Sequence, residues 1–313
     1  MPYINVDEAY VLDNTGLQVD QSVDYANANG NVNLIDNWYF VGGGGAAFPI
    51  NQRGKTSYTG SAYSIDRWYL SGGSLTASVQ SDCVQFTASG GNGLLFQYFK
   101  TPLTGTFTIS AYIRGTGAGY IGVCDATSDH DLISGTAQTF SNVGNDWTLI
   151  KRTFTTSTPI GGIRCRVDAG TTFDMQSIKL ECGSFTTLPN DPPPNRATEL
   201  AKCQYYCRVF NPSSGYIYLG GYCQSTTVFR SFALPPMNIR SSAPSVTPST
   251  LTTEAVVIDA SGTSHSVSAI ASTWQTDTEI GVTLFATTTG LTTGQTATLR
   301  ITQGATIVVS CDL

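Results

Sequence analysis

The tightest constraint on this chain is a period of two. In the segment 105–115, Phe107, Ile109, Ala111 and Ile113 alternate with Thr108, Ser110, Tyr112 and Arg114, the pattern of a strand with one dry and one wet face. Comparable runs recur between Asn31 and Cys182, at NLIDNWYF, SIDRWYLS, SDCVQFTAS, LLFQYFK, AGYIGVCD, NDWTLIKRTFTT, GGIRCRVD and DMQSIKLE, most of them separated by turn residues. Short strands with one dry face bury it by stacking two sheets, so this region is expected to form a two-sheet sandwich or jelly roll.

That region ends distinctively. Ile178, Leu180 and Cys182 alternate with Ser177, Lys179 and Glu181, predicting a last strand with one buried face. Pro189, Pro192, Pro193 and Pro194 follow and cannot donate ladder hydrogen bonds, so residues 188–197 read as an extended, semi-rigid linker. Thr198 is then placed to cap a short helix carrying Leu200, Cys203 and Cys207 on one face. Beyond it, YIYLGGY, TTVFRSFALP, PSVTPS, AVVIDAS, HSVSAI, EIGVTLFA, TATLRIT and TIVVSCDL read as further short strands. Thr293-Gly294 predicts a tight turn making EIGVTLFA and TATLRIT antiparallel neighbours.

At the other end, Thr15 with Gln18 forms a capping box, and Leu12, Val19, Val23 and Ala26 line one side of a helix of about three turns. A helix that short needs something to pack against, its own body, copies of itself or a docking partner; the last two are favoured, so residues 1–30 are expected to be an assembly or docking segment. The expected fold is therefore all-β: an N-terminal short helix (1–30), a jelly-roll β-sandwich (31–187), a linker (188–197), and a second β-sandwich introduced by a short helix (198–313).

The 313 residues suit about two domains, and only 12% are charged, with a net charge of −6 and no Lys/Arg cluster. That balance argues against a nucleic-acid partner or an anionic membrane surface. The start, MPYINVDEAYVLD, has neither a basic nor an apolar region of the secretory kind, and no stretch is apolar and long enough to insert in a membrane. The expectation is a chain made in a cytosol. Eight cysteines, at 83, 124, 165, 182, 203, 207, 223 and 311, contain no CxxC pair, and with two histidines zinc is disfavoured. They read as structural thiols, Cys165 alternating with Ile163 and Val167 being the clearest case.

Candidate chemistry is sparse. His130 lies in the loop-like DATSDHD and His265 in a polar strand, neither in a setting that marks a nucleophilic triad, and the glutamates form no recognisable pair. Asp125, Asp129 and Asp131 offer oxygen ligands for a structural calcium, but their spacing is not that of an EF-hand and a solvated turn is the simpler reading. No other cofactor is expected. The tetraglycine at 42–45 precedes Phe48-Pro49, not a helix, and reads as a flexible loop. Sugar binding needs exposed aromatic faces beside polar side chains. Tyr58, Tyr63, Tyr112 and Arg114 in the first domain, and Tyr216, Tyr218 and Tyr222 in the second, occupy polar or glycine-rich contexts of that kind. Trp38, Trp68 and Trp147 fall in apolar strand patterns and read as core.

NLIDNWYF, FPINQRG at 48–54, SIDRWYL at 64–70 and the closing SIKLECG resemble jelly-roll modules of bacteriophage and prophage tail-fibre or virion surface proteins, which are similar in build to carbohydrate-binding modules. LPNDPPPNRATELAKCQYYCRVF resembles the junction where such proteins introduce a terminal β domain, and SFALPPMNIRSSAPSVT the strand-turn-strand that follows. AYVLDNTGLQVDQSV is similar to segments that attach fibres to a phage head or tail. The resemblance implies a virion protein, commonly a homotrimer, that is made in the bacterial cytoplasm. It implies attachment to tail or capsid proteins through residues 1–30 and binding of bacterial surface glycan. A glycan-depolymerising spike and a purely structural decoration protein are the rival readings.

Overall fold

The structure, a computed structural model, describes residues 32–72, 74–126, 130–210, 215–232, 245–248, 255–274 and 282–310. Over these residues the chain is all-β apart from one α-helix and a single 3-10 turn. The helix expected within residues 1–30 and the run 233–244 lie outside the described residues. Two compact units emerge. One comprises the chain to Pro49, Lys55–Ser64 and Trp68–Arg196, and the other comprises Ile50–Gly54, Ile65–Arg67 and the chain from Ala197.

The first unit contains β1 (Ser57–Thr59), β2 (Ala62–Tyr63), β3 (Tyr69–Ser71), β4 (Leu75–Val79), β5 (Val84–Ala88), β6 (Gly93–Gly115), β7 (Ala118–Asp125), β8 (Gln138–Ser141), β9 (Gly144–Val167) and β10 (Thr171–Cys182). Their order is β1-β4-β5-β10-β6-β9-β7-β8, with β3 also pairing β6 and β2 pairing β3. LLFQYFK and GTFTISAYIRG, expected as two strands, are the two halves of β6, and β9 likewise joins NDWTLIKRTFTT to GGIRCRVD. The β6–β9 register breaks between Tyr98 and Gly105, where Gly105 takes φ 128°, a conformation that costs glycine little. On one side of this break β6 carries β3, and on the other it carries β10. Phe140 of β8 meets Phe173 of β10 edge-on at 4.8 Å, although β6, β9 and β7 separate those strands in the sheet. The sheet thus folds over itself into a sandwich around Phe86, Phe107, Ile109, Ile121, Ile163, Phe173 and Leu180, all buried.

NLIDNWYF forms no regular strand. It runs along β10 beyond the stretch paired with β5, through Leu34 N to Leu180 O (2.9 Å), Ile178 N to Trp38 O (3.1 Å) and Phe40 N to Gln176 O (2.8 Å). The left-handed Asn37 (φ 50°) interrupts it, and Gln97 ties it down by bonding both the N–H and the carbonyl of Asp36. Trp38 and Trp68 are core residues as expected, Trp68 donating its ring N–H to Asn37 O at 3.0 Å.

The wet face expected on β6 and β10 is dry at one end. Thr108, Ser110, Lys179 and Glu181 are all buried, whereas Cys182, expected inside, is exposed. The cause is the segment after β10, which folds back over this face: Thr108 donates to Gly183 O (2.9 Å) and Ser110 bonds Thr186 Oγ1 (2.7 Å). Lys179 Nζ donates to Asp191 Oδ2 and Thr187 Oγ1, both at 2.6 Å, and Thr187 gives its N–H and hydroxyl to the two oxygens of Glu181 (2.8 and 2.9 Å). Leu188–Asn190 is consequently a 3-10 turn with Leu188 buried. The first residues of the expected extended linker therefore belong to the packed body of this unit.

The tetraglycine is a defined turn, contrary to the flexible loop expected. Gly42 to Gly45 all have positive φ, the path is held by Gly42 N to Ser81 O (2.7 Å) and Gly44 N to Phe48 O (2.9 Å), and Arg196 donates to Gly45 O (2.7 Å) and Ala47 O (3.2 Å).

The helix α1 spans Arg196–Gln204. It starts two residues before the expected cap Thr198, and Cys207 has already left it for β11 (Cys207–Phe210). β12 (Ile217–Cys223), β13 (Val228–Ser231), β14 (Ser245–Pro248), β15 (Ala255–Asp259), β16 (Ser264–Ser266), β17 (Ala269–Trp274), β18 (Val282–Thr287), β19 (Thr296–Ile301) and β20 (Ile307–Ser310) follow. They form a seven-stranded sheet, β16-β15-β19-β12-β13-β18-β17, and a three-stranded one, β11-β20-β14. Ile307 and Val309 of the small sheet share a core with Phe229, Val257, Leu284 and Leu299 of the large one, which makes this unit a second sandwich. β18 and β19 are not neighbours, because the β12–β13 hairpin lies between them. Their connection is pinned to that hairpin by Thr288 N to Thr227 O (2.9 Å), Leu291 N to Thr226 O (3.1 Å) and Gly294 N to Cys223 O (2.8 Å), with Leu291 buried. The same unit takes in the middles of FPINQRG and SIDRWYL: Arg53 pairs with the buried Asp66 (3.0 Å), Gln52 donates to Cys207 O (3.0 Å), and Arg67 lies 3.5 Å over the Tyr206 ring.

Removing one partner of the Lys179 cluster leaves the others charged in a dry site, a change that typically costs about 3–5 kcal/mol. Lys179→Met is expected to lower the stability of the first unit by that order in a denaturant titration, whereas the exposed Lys151→Met is expected to shift it little.

Candidate functional site

The candidate residues fall into two faces, one in each unit. On the first, Arg114 of β6 stands opposite Asp174 of β10 and is fully engaged. Its Nε bonds Asp174 (2.9 Å), its Nη1 bonds Asp82 (2.9 Å), and its plane lies 4.3 Å over the Trp147 ring. The hydrogen bond to Asp174 is the main reason its pKa is raised. Gln85 closes the row by donating to Asp174 at 3.0 Å. Trp147, expected in the core, is half-buried on this outer face, beside the half-buried Tyr112. Tyr58 is placed elsewhere: it is buried, paired with Ala77 of β4. Tyr63 is half-buried, with its ring 5.2 Å from that of Tyr69.

On the second unit the period of two in β12 sends Ile217 and Leu219 to the core and Tyr218, Gly220 and Tyr222 outward. Tyr218 stands opposite Arg300 of β19. The Arg300 guanidinium lies 4.8 Å over the Tyr216 ring, and Tyr216 and Tyr218 meet at 6.1 Å, edge to face. Gly220 leaves a gap in this row that a neighbouring ring fills. Phe232 donates its N–H to Gly220 O (2.9 Å), and a Cβ on Gly220 would lie 3.5 Å from the Phe232 ring. Tyr216, Tyr218 and Phe232 are 52%, 56% and 63% exposed, so three large rings are offered to solvent along one line. The Arg300 Nε is buried and has no hydrogen-bond partner among the described residues. Tyr222 is half-buried at the next position, its hydroxyl accepting from Arg230 at 3.4 Å. Phe232 escaped the sequence reading because its run, TTVFRSFALP, looks like an apolar strand interior. The signal was the glycine opposite it.

The histidines are structural in their contacts. His265 is held between Thr289 O at Nδ1 and Asp259 Oδ2 at Nε2, both 2.9 Å, so neither nitrogen is turned to a substrate. Ser261 bonds the carboxylate (2.6 Å) and not the ring, which is not the order of a nucleophilic triad. His130 packs its ring 4.3 Å from Tyr98. Asp129 lies outside the described residues, and Asp131 pairs with Arg164 at 3.2 Å. No group of three metal-binding side chains occurs among the described residues. Burial pushes the Cys83 thiol up to about 12, with Asp174 and Asp82 adding to it; Cys165 and Cys223 are raised by burial as well. Among the described residues no helix is long and apolar enough to cross a membrane.

No protein-family model and no curated protein sequence matches the chain. Among solved structures it is similar to the carbohydrate-binding module BiXyn10A CBM1 (12% identity, 35% of this chain and 82% of that one, TM-score 0.27). A family 29 carbohydrate-binding module matches at 12% identity over 44% of this chain and 91% of that one, TM-score 0.32. An arabinose-bound MgGH51 α-L-arabinofuranosidase matches at 13% identity over 57% of this chain and 34% of the enzyme, TM-score 0.32. Overlaps this loose assign neither a ligand nor a reaction.

The bond from His265, followed by that from Ser261, holds the Asp259 carboxyl far below its ordinary value of 3.8. A depressed carboxylate contributes stability above the unfolded value and loses it as pH falls through the folded one. In an NMR titration Asp259 is expected to stay ionised at about pH 3, where an ordinary Asp is mostly protonated, and His265→Ala is expected to return it towards 3.8.

Proposed function

We propose that this chain is a non-enzymatic fibre protein of a bacteriophage virion that attaches to bacterial surface glycan through the aromatic row of its second unit. The observation that carries the reading is the line of exposed Tyr216, Tyr218 and Phe232 beside Arg300. Pyranose rings present apolar faces to such rings and hydroxyls to such a donor, and folded proteins seldom leave large aromatic groups together in water without a use. On the first unit, Arg114 already has two carboxylates and an indole as partners, so that face has less to offer a ligand.

The virion setting is supported by the resemblance of the NLIDNWYF, FPINQRG, SIDRWYL and CQYYC segments to phage fibre modules. In this reading residues 1–30 attach the protein to tail or capsid proteins, and a homotrimer sets three shallow sites side by side. Linked sites gain avidity that one shallow site lacks.

Calorimetry with host capsule fragments tests the site. Tyr218→Ala and Phe232→Ala are each expected to weaken binding about tenfold, equivalent to ~1.4 kcal/mol, while Tyr112→Phe leaves it unchanged. Unaltered affinity in both alanine variants sinks the assignment to this face. Release of new reducing ends from the capsule would sink the non-enzymatic part.

A further inference from the structure

We propose that Lys179 and Asp191 become joined by an intramolecular isopeptide bond, with Glu181 as the proton-transfer residue. The three side chains are 0%, 9% and 0% exposed, respectively. Lys179 Nζ lies 2.6 Å from Asp191 Oδ2, so the carboxyl carbon is one bond beyond an atom already in contact with the amine. Glu181 Oε2 is 3.6 Å from the same nitrogen. Both oxygens of Glu181 are held by Thr187, through its N–H (2.8 Å) and its hydroxyl (2.9 Å). The Thr187 hydroxyl links the three groups, accepting from Lys179 Nζ (2.6 Å) and lying 2.9 Å from Glu181 Oε2 and 3.4 Å from Asp191 Oδ1, so protons exchanged with Glu181 pass through it to and from the amine and Asp191, the acyl partner.

The step balances without any other reactant. The Lys179 ammonium gives one proton, by way of the Thr187 hydroxyl and Glu181, to the Asp191 carboxylate, leaving a neutral amine and a carboxylic acid. The amine lone pair attacks the carboxyl carbon and the N–C bond forms. A second amine proton passes through Glu181 to the departing hydroxyl, the C–O bond breaks, and one water leaves. One proton remains on the amide nitrogen, and Glu181 ends as it began. Two features favour this outcome. Fixed proximity replaces a bimolecular encounter, and a neutral amide removes the desolvation cost of a buried ammonium and carboxylate. The linkage would transmit load applied beyond Asp191 directly to Lys179, inside the C-terminal part of β10, a consequence independent of what the protein binds.

Intact-mass spectrometry of the full chain tests it without any variant. The folded protein is expected about 18 Da, one water, below its sequence mass. A tryptic digest is expected to yield residues 167–196 as a single uncut peptide about 18 Da light, with no cleavage after Lys179 and tandem spectra placing the loss on the loop between Lys179 and Asp191. Lys179→Arg, Asp191→Ala and Glu181→Gln are each expected at their own full sequence masses. A wild-type chain at full mass, or a deficit that maps elsewhere, overturns the bond. A Glu181→Gln protein that keeps the deficit overturns the role given to Glu181.

Discussion

Much of the first unit hangs on where one lysine buries its amine. Lys179 sits near the C-terminal end of β10 on a face that would be wet if nothing covered it, and it is entirely buried. An ammonium in that position is tolerable only when carboxylates and hydroxyls surround it, and the chain supplies them by folding 183–191 back across the sheet. The partners that the buried amine requires thus dictate where the chain runs after its last strand. They turn a proline-containing segment into part of the core wall, and they close the face on which Thr108 and Ser110 lie.

The same covering divides the outer face of that sheet. At the covered end, polar side chains are consumed in internal bonds. At the open end, Arg114 gathers Asp82, Asp174 and Trp147 into a rigid cluster, so even the exposed part is internally satisfied. The second unit is arranged differently. Its large sheet has one face sealed by β20 and its partners, and on the other face rings and guanidinium groups stand with few competing partners. A difference in internal satisfaction, more than in residue type, separates the two faces as binding surfaces.

Several elements were legible in the residues alone. Alternation in β6 announced a strand and named its inward residues Phe107, Ile109, Ala111 and Ile113 correctly, because a buried face needs apolar side chains at every second position. Tyr216 and Tyr218 were legible as exposed, since glycine and polar neighbours flank them. Trp147 and Tyr58 were not, because an aromatic ring suits either face of a strand and only the pairing partner decides which. β18 and β19 were misjudged as neighbours for a related reason: a Thr-Gly turn is a local signal, whereas the anchoring of Leu291 and Thr288 to the β12–β13 turn is not.

What the sequence determined by itself was the class of structure. Period-two runs of limited length admit stacked sheets and little else. Tertiary structure decided which polar residues were spent inside and which remained available. Lys179 and Glu181 look like surface residues in their strand, and Phe232 looks like a core residue in its run. Their fates reversed because burial depends on what the rest of the chain lays over a face, and no local pattern records that.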